Sequence, residues 1–461
     1  MIHPDPREFE RLARTWPLVP VWTELLADVS TPVGIFDALA ADGPGILLES
    51  VERSERWGRF SFVAGDPAAI VVADEDGVRI ERDAGRLPLS APDADAAALE
   101  ALISLAEQLR APRLPDLPSL TGGLAGVLSY EAAYLLDGHP YPTGDAPCPP
   151  ISLQVIDRAV VFDHWRQRLL LVAHVGASGY AAGVEALRDL ERRVRAATPP
   201  PPEPLDDGSG ASSSPARDAA VAGSANMSDE RYREIVRDFK GHIIAGDIFQ
   251  GVPSRRVTYP APGGGFPIYR LLRVSNPAPY MFFVRLPGME LAEHAMLVDL
   301  ARNDIGRVCS AGSVAPTELM VVERFSRVMH IVSTVEGELA DGRHPLQALA
   351  VTFPAGTVTG APKRRAMELI ARAEPTARGP YAGAVGYLTF AGDLDFCITI
   401  RTAVVTGGVA HVQSGGGIVA ESDAETELRE SRAKASALLP AVAPAMPARR
   451  RAGVSGGEPT P

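Results

Sequence analysis

The chain has 461 residues, 46% of them hydrophobic, with 45 Lys and Arg against 57 Asp and Glu, a net charge of −12. That is too apolar for a disordered polypeptide and long enough for about three domains or two large ones. The acidic balance argues against nucleic acid or an anionic membrane as partner.

No run of about 18 uncharged apolar residues occurs, so no membrane span is expected. The opening MIHPDPREFERLAR carries charges and prolines where a signal peptide needs an apolar stretch, which predicts a cytoplasmic protein. Cys148, Cys309 and Cys397 are far apart and form no CxxC pair, so buried, inert thiols are expected. None resembles the Gly-flanked nucleophile of a glutamine-hydrolysing domain. The nine histidines include no HExxH and no His/Cys cluster, which disfavours catalytic zinc.

In chain order, GPGILLES and GRFSFVAGDP read as strand-and-turn units, and RAVVFDHWRQRLLLVAHV as a hairpin turning at Asp-His-Trp-Arg. Tyr180–Arg195 has helical spacing of Ala, Leu and Val. Residues 196–226 are Pro-rich and then Gly/Ser/Ala-rich, the composition of a linker. A helix is expected over Met227–Ala245, with Ser228 capping its free N–H groups. RVTYPAP, PYMFFVRL, GAVGYLTF, ITIRTAVV and VAHVQSGGGIV read as strands, whereas MELAEHAMLVDLARND has the apolar period of a helix. Residues 440–461 read as a disordered tail. Short turns between strands favour antiparallel sheets and a mixed α+β class. The organisation predicted is an N-terminal region over 1–195, the linker over 196–226, a second region over 227–439 and the tail.

Three groups of residues point to chemistry. On the expected helix Glu290 and Glu293, three apart, share a face, and Glu430 lies on another helical stretch with Lys434 one turn later. Carboxylates on rigid elements suit Mg²⁺. In GTVTGAPKRRAMELI, Pro362 fits a first helical position, Thr357 or Thr359 a cap, and Lys363 beside free N–H groups would attract an anion. In QSGGGIV, Gly415, Gly416 and Gly417 let the backbone approach a ligand. Arg401 ends the strand CITIR and, if buried, requires an anion. His330 lies in an apolar run where a core histidine is the default. These residues describe a site for a small, doubly anionic metabolite with a divalent cation. A ligand-binding regulatory protein fits them equally.

Longer motifs narrow the choice. ILLESVERSERWGRFSFVAGDP, TGGLAGVLSYEAAY, AGDIFQ, NPAPYMFF, AEHAMLVDLARNDIGRV, FSRVMHIVSTVEGEL, GTVTGAPKRRAMELI, GPYAGAVGYLTFAGDLDFCITIRTAVV and QSGGGIVAESDAETELRESRAKA occur in the order found in component I of anthranilate synthase. The chain resembles that family of chorismate-utilising enzymes from about residue 15 to about residue 440. The resemblance implies a two-sheet antiparallel β-sandwich flanked by helices, with the two halves of the chain interlaced. It implies a reaction in which ammonia adds to chorismate, water leaves and pyruvate is eliminated to give anthranilate. By match of motif, Glu290, Glu293 and Glu430 correspond to the Mg²⁺ ligands, and Tyr381, Arg401, Gly415 and Gly417 to the grip on the enolpyruvyl carboxylate. Thr357 and Lys434 correspond to further catalytic positions, and His330 to a general acid near the leaving hydroxyl. Glu49, Ser50, Asn276, Pro277, Tyr280 and Met281 correspond to a tryptophan feedback site. Ammonia would come from a separate glutamine amidotransferase subunit. Aminodeoxychorismate synthase component I is the nearest enzymatic alternative, and a silent paralogue that binds only ligand or partner is the other.

The chain departs from the family between Gly288 and Glu290. Several tens of residues are missing there, including an Ala-Ser-Pro-Glu strand and a Pro-Ile-Ala-Gly-Thr-Arg motif that lines the ring. The loss predicts a sheet with a gap or exposed edges. Pro253, in GVPSRR, falls where the family has an apolar strand and would cost a ladder hydrogen bond.

Overall fold

Every strand pair in the structure, a computed structural model, is antiparallel. It describes residues 1–28, 30–49, 59–137, 148–197, 223–275, 280–295, 307–310, 313–324, 329–436 and 438–442. Among these, the larger sheet has eleven strands. Their spatial order is Leu18–Leu26, Arg168–Gly176, Arg158–Asp163, Phe60–Gly65, Gly45–Glu49, Tyr280–Leu286, Met289–Ala295, Thr402–Thr406, Val409–Gly415, Ser254–Pro260 and Ser224–Ala225. The smaller sheet has six, in the order Leu394–Ile398, Ala384–Thr389, Gly123–Leu128, Ile151–Ile156, Ala69–Asp74 and Gly77–Asp83. Residues from before and after 196–226 build both sheets, so the two regions are interlaced rather than separate bodies, as the resemblance implies.

The alternation of side chains along the strands makes three apolar layers. Phe282, Val284, Leu286 and Leu291 of the larger sheet meet Ala125, Val127 and Val385 of the smaller one in the sandwich core. Met281 and Phe283 face the other way, into a layer closed by the helices Pro32–Ala40, Tyr180–Ala196 and Gly265–Ser275. The outer face of the smaller sheet is covered by helices Ala98–Gln108 and Pro345–Thr352. Phe283 is fully buried, edge-on to Phe36 at 5.3 Å and beside Phe266 and Tyr269. Truncating it leaves a void in that layer, so Phe283→Ala is expected to cost about 3–5 kcal/mol of stability in urea unfolding.

Several local readings hold. The Arg158–Asp163 and Arg168–Gly176 strands pair through a turn at His164–Gln167. The helix Asp229–Ile244 is capped by Ser228, whose Oγ accepts from Arg231 N at 3.2 Å. Pro253 costs no ladder bond, because it sits between the short Gln250–Gly251 strand and the start of Ser254–Pro260.

Others are corrected. Ser224–Ala225, read as linker, pairs with Val257 and Thr258 at the sheet edge; residues 198–222 lie outside the described residues. Leu439–Val442 form a buried helical turn against the Gly265–Ser275 helix, so order extends past 440; residues 443–461 lie outside the described residues.

The largest correction concerns the lost segment. Met289–Ala295 is a strand, not the start of a helix, and no gap opens in the sheet. Tyr280–Leu286 turns at Pro287–Gly288, where Gly288 takes a φ of 75° that suits glycine. It returns as Met289–Ala295, which pairs with Thr402–Thr406 and closes the ladder. The sequence MELA serves either period: Met289 and Leu291 enter the sandwich core while Ala292 enters the helical layer. A two-residue connection leaves room only for the hairpin. Across it, Arg285 Nε donates to Glu290 Oε1 at 2.6 Å, directly opposite in register.

Candidate active site

The expected site residues divide between two ends of the larger sheet. Glu290 sits opposite Val405, and Glu293 opposite Thr402. Ala403 pairs with Val412 on the next strand, so the Thr402 end of the ladder is the end that leads to Gly415. Strand geometry puts positions 290 and 293 on opposite faces and roughly 10 Å apart, at about 3.3 Å per residue. Glu290 is also fully engaged: besides Arg285, its Oε2 accepts from Gly265 N at 2.5 Å. Glu430 lies on the helix Ala424–Ser436 and is 2.8 Å from Lys434 Nζ, which also donates to Gly415 O at 2.9 Å. The side chain of Glu293 lies outside the described residues. No group of three His, Cys, Asp or Glu residues suited to a metal comes together among the described residues. As placed, then, the described residues do not assemble a Mg²⁺ site, and Glu290 does not fit a ligand role.

The anion-binding half is better formed. Arg401 follows the Leu394–Ile398 strand with a φ of 52°, a left-handed backbone that a non-glycine residue adopts at a cost of about 1–3 kcal/mol. That turn carries its guanidinium into a partly buried position, where desolvation lowers its pKa and no carboxylate offsets it. Arg401 has neither an ion pair nor a side-chain hydrogen bond among the described residues. A desolvated cation in that state is a receptor for an anion.

Tyr381 is buried, with its hydroxyl toward the Gly415 backbone, and burial pushes its pKa up to about 12. It is therefore a neutral hydrogen-bond donor at physiological pH. A small, narrow cavity is lined by Tyr381, Arg256, Arg378, Thr402, His411 and Gln413, among others.

At Gly415 a Cβ would collide with the Pro253 carbonyl, so the strand end needs glycine there, whereas at Gly417 it would meet only the flexible end of the Gln250 side chain. The helix bearing Lys434 is tied to the same strand by Ser414 Oγ, which donates to Ser431 O at 2.8 Å.

The GTVTG turn differs in detail from expectation. Gly356–Val358 is one turn of 3-10 helix, Gly360–Ala361 pairs with Gln250–Gly251, and the following helix begins at Lys363 with Pro362 as its cap residue. Neither Thr357 nor Thr359 caps it. Both hydroxyls are buried; that of Thr359 faces the Tyr130 hydroxyl, and that of Thr357 has no hydrogen-bond partner among the described residues. Lys363 does not face a free anion site: its Nζ donates to Thr352 O at 3.0 Å and Val351 O at 3.4 Å. The buried Thr357 hydroxyl is the one of the two that a polar ligand could satisfy.

His330 lies on the Met329–Glu336 strand, paired with Glu323; its side chain lies outside the described residues. In the expected tryptophan site, Glu49 is buried and faces Met281 across the ladder. Its carboxylate accepts from Tyr269 Oη at 2.6 Å and from Arg273 Nη2 at 2.9 Å. Ser50, Asn276, Pro277 and the side chain of Tyr280 lie outside the described residues. Tyr269 and Arg273 escaped the sequence reading, which named no helix there; their spacing of four, one turn of the Gly265–Ser275 helix, is the signal that would have paired them. The thiol of Cys148 is pushed up to about 12 by burial beside Ser129, in keeping with an inert cysteine.

Among the described residues, the antiparallel sandwich brings a buried phenol, an arginine without an ion pair and the Gly415 strand end to one end of the larger sheet. The chain belongs to the chorismate binding enzyme family, whose model matches residues 53–291 and 289–440. Within that family it is similar to anthranilate synthase component 1 of Acetivibrio thermocellus, at 34% identity over 502 aligned positions covering 96% of this chain and 99% of the relative. It is 37% identical to the Bacillus caldotenax anthranilate synthase component 1, covering 92% and 94% of the two chains. The crystal structure of anthranilate synthase component I from Streptococcus pneumoniae TIGR4 superposes with a TM-score of 0.69 at 28% identity, covering 84% of this chain and 93% of that one.

The lost segment appears here too. The two stretches of the family match meet at 289–291, and 502 aligned positions exceed the 461 residues of the chain by 41. At least that many positions of the alignment have no residue of this chain. No described helix is long and apolar enough to cross a membrane.

Proposed function

We propose that this protein is the chorismate-converting component of an anthranilate synthase, a lyase that makes anthranilate, pyruvate and water from chorismate and ammonia. The observation that carries the reading is Arg401: a desolvated guanidinium with no ion pair among the described residues, on a strained backbone, at the same strand end as Tyr381 and Gly415. These three are suited to grip the enolpyruvyl carboxylate, Arg401 by charge and Tyr381 and the Gly415 backbone by hydrogen bonds. Thr357 supplies a further buried hydroxyl for a ring substituent. Lys434, anchored to Gly415 O and Glu430, is placed to carry a proton at the rim of the pocket. His330 takes the role of acid toward the departing hydroxyl, which leaves as water once ammonia has added to the ring. Loss of pyruvate then restores aromaticity and drives the sequence forward.

Mg²⁺ would supply countercharge for the ring carboxylate. That requirement rests on Glu430 and Glu293, because Glu290 is engaged elsewhere, and no step above is routed through the ion. The ammonia source is a glutamine amidotransferase subunit, since none of the three cysteines has the setting of a glutaminase nucleophile. Tryptophan is the expected feedback ligand beside Glu49 and Met281, and a cytoplasmic location accompanies this assignment.

Incubating the purified protein with chorismate, MgCl₂ and an ammonium salt, followed by chromatography with fluorescence detection, tests the reading. Anthranilate is the expected product. Aminodeoxychorismate or isochorismate would move the chain to another branch of the family, and a folded protein that forms no product would overturn the assignment.

A further inference from the structure

Beneath Tyr381 lies a buried ion pair that the reaction as described does not use. Arg378 Nη2 is 2.6 Å from Glu374 Oε1, and the two side chains are only 2% and 3% exposed. Burying two charges costs more than their attraction returns unless further hydrogen bonds complete the arrangement. Those bonds lead to the substrate pocket from three directions.

Arg378 Nη1 donates to Val358 O at 2.8 Å, the carbonyl between Thr357 and Thr359. Arg378 Nη2 also donates to Val252 O at 2.5 Å, on the segment leading to Ser254. The Glu374 Oε1 atom accepts from Ser254 N at 2.7 Å and Ser254 Oγ at 2.9 Å, and Ser254 is the ladder partner of Gly415. The guanidinium lies 4.5 Å from the Tyr130 ring centre and 5.6 Å from that of Tyr381. Glu131, itself buried, accepts from Arg378 N at 2.7 Å and Gly379 N at 3.0 Å, which pins the loop that delivers Tyr381.

We propose that Arg378 and Glu374 form a positioning unit that holds the Thr357 turn, Tyr381 and Gly415 in one frame: Arg378 borders the cavity, but the hydrogen bonds of its guanidinium go to Glu374, Val358 O and Val252 O. The inference rests on the reading of this pocket as the chorismate site. The shape of the guanidinium is what matters. A planar fork reaches two carbonyls and a carboxylate at once, whereas a lysine ammonium keeps the charge but loses that geometry. Because the pocket groups act on a bound ligand by position, displacements on the order of 1 Å are costly.

A double-mutant cycle separates positioning from simple bracing. Chorismate is titrated calorimetrically into the parent protein, Arg378→Lys, Glu374→Gln, Tyr381→Phe and the double variant Arg378→Lys/Tyr381→Phe. Arg86→Lys serves as control, since Arg86 forms a separate partly buried pair with Asp157 and makes none of these contacts. Near-UV circular dichroism establishes that each variant is folded.

The expected result is at least tenfold weaker chorismate binding for Arg378→Lys and for Glu374→Gln. The Tyr381→Phe effect should shrink to less than twofold in the Arg378→Lys background, with Arg86→Lys unchanged. Parent-like affinity in either folded variant, or additive effects in the cycle, overturns the positioning role while leaving the chorismate reading intact. A parent protein that binds no chorismate overturns both.

Discussion

Arg401→Gln is expected to weaken chorismate binding by about 2–5 kcal/mol, roughly thirtyfold to several-thousandfold, with a matching fall in kcat/KM. The size follows from what Arg401 lacks. It is desolvated with no carboxylate partner among the described residues, so the penalty for holding the charge is met in the free protein and recovered when a carboxylate arrives. Removing the charge forfeits that recovery. Arg401→Lys should restore only part of it, because an ammonium does not reproduce a bidentate contact. Glutamine tolerates the left-handed backbone no worse than arginine does, so the stability of the variant should stay close to the parent value. Calorimetric titration with chorismate checks the prediction, and unchanged affinity would remove Arg401 from the pocket.

Glu290→Gln and Glu430→Gln should behave differently, although the family resemblance assigns both to the same metal. Glu290 balances Arg285 across the hairpin, at a site where the two side chains are 19% and 13% exposed. Neutralising it leaves a half-buried guanidinium with a weaker partner, a loss of about 1–3 kcal/mol in urea unfolding. The magnesium concentration that half-saturates activity should remain within twofold of the parent. In Glu430→Gln the magnesium-dependent rate should disappear while stability changes little, since its partner Lys434 keeps the Gly415 carbonyl. A tenfold rise in the magnesium requirement of Glu290→Gln would show that Glu290 is a ligand and that the hairpin register is different in solution.

The contrast between these two glutamates marks what sequence reasoning reaches. Local patterns were legible where one chain segment settles the outcome: the Arg158–Gly176 hairpin from alternation and a polar turn, the Asp229 helix from Ser228. Arg401 was legible only as a cation that must reach solvent or meet an anion, because burial cost is a property of the group itself; its partial burial is seen only in the fold. Residues 289–295 were not. Their apolar spacing satisfies a helix and a strand alike, and the choice is made by a neighbour, the Thr402–Thr406 strand, which needs a partner once the intervening segment is lost. Arg378 and Glu374 carried no local signal either, since their meaning comes from Val358, Val252 and Ser254, each distant in the chain. Thr359 or Thr357 was read as a cap, and only the packed structure reveals that the Thr359 hydroxyl turns to that of Tyr130.

Loss of the ring-lining segment makes activity itself the central claim. The sheet closes across the deletion, and Tyr381 stays against the Gly415 backbone, so turnover with ammonia is the expected outcome. The direct measurement is NMR of the protein incubated with chorismate, MgCl₂ and ¹⁵N-ammonium chloride. The account predicts anthranilate carrying ¹⁵N on the ring, with pyruvate released in equal amount. Chorismate left intact by folded protein, or a product without the label, would contradict it.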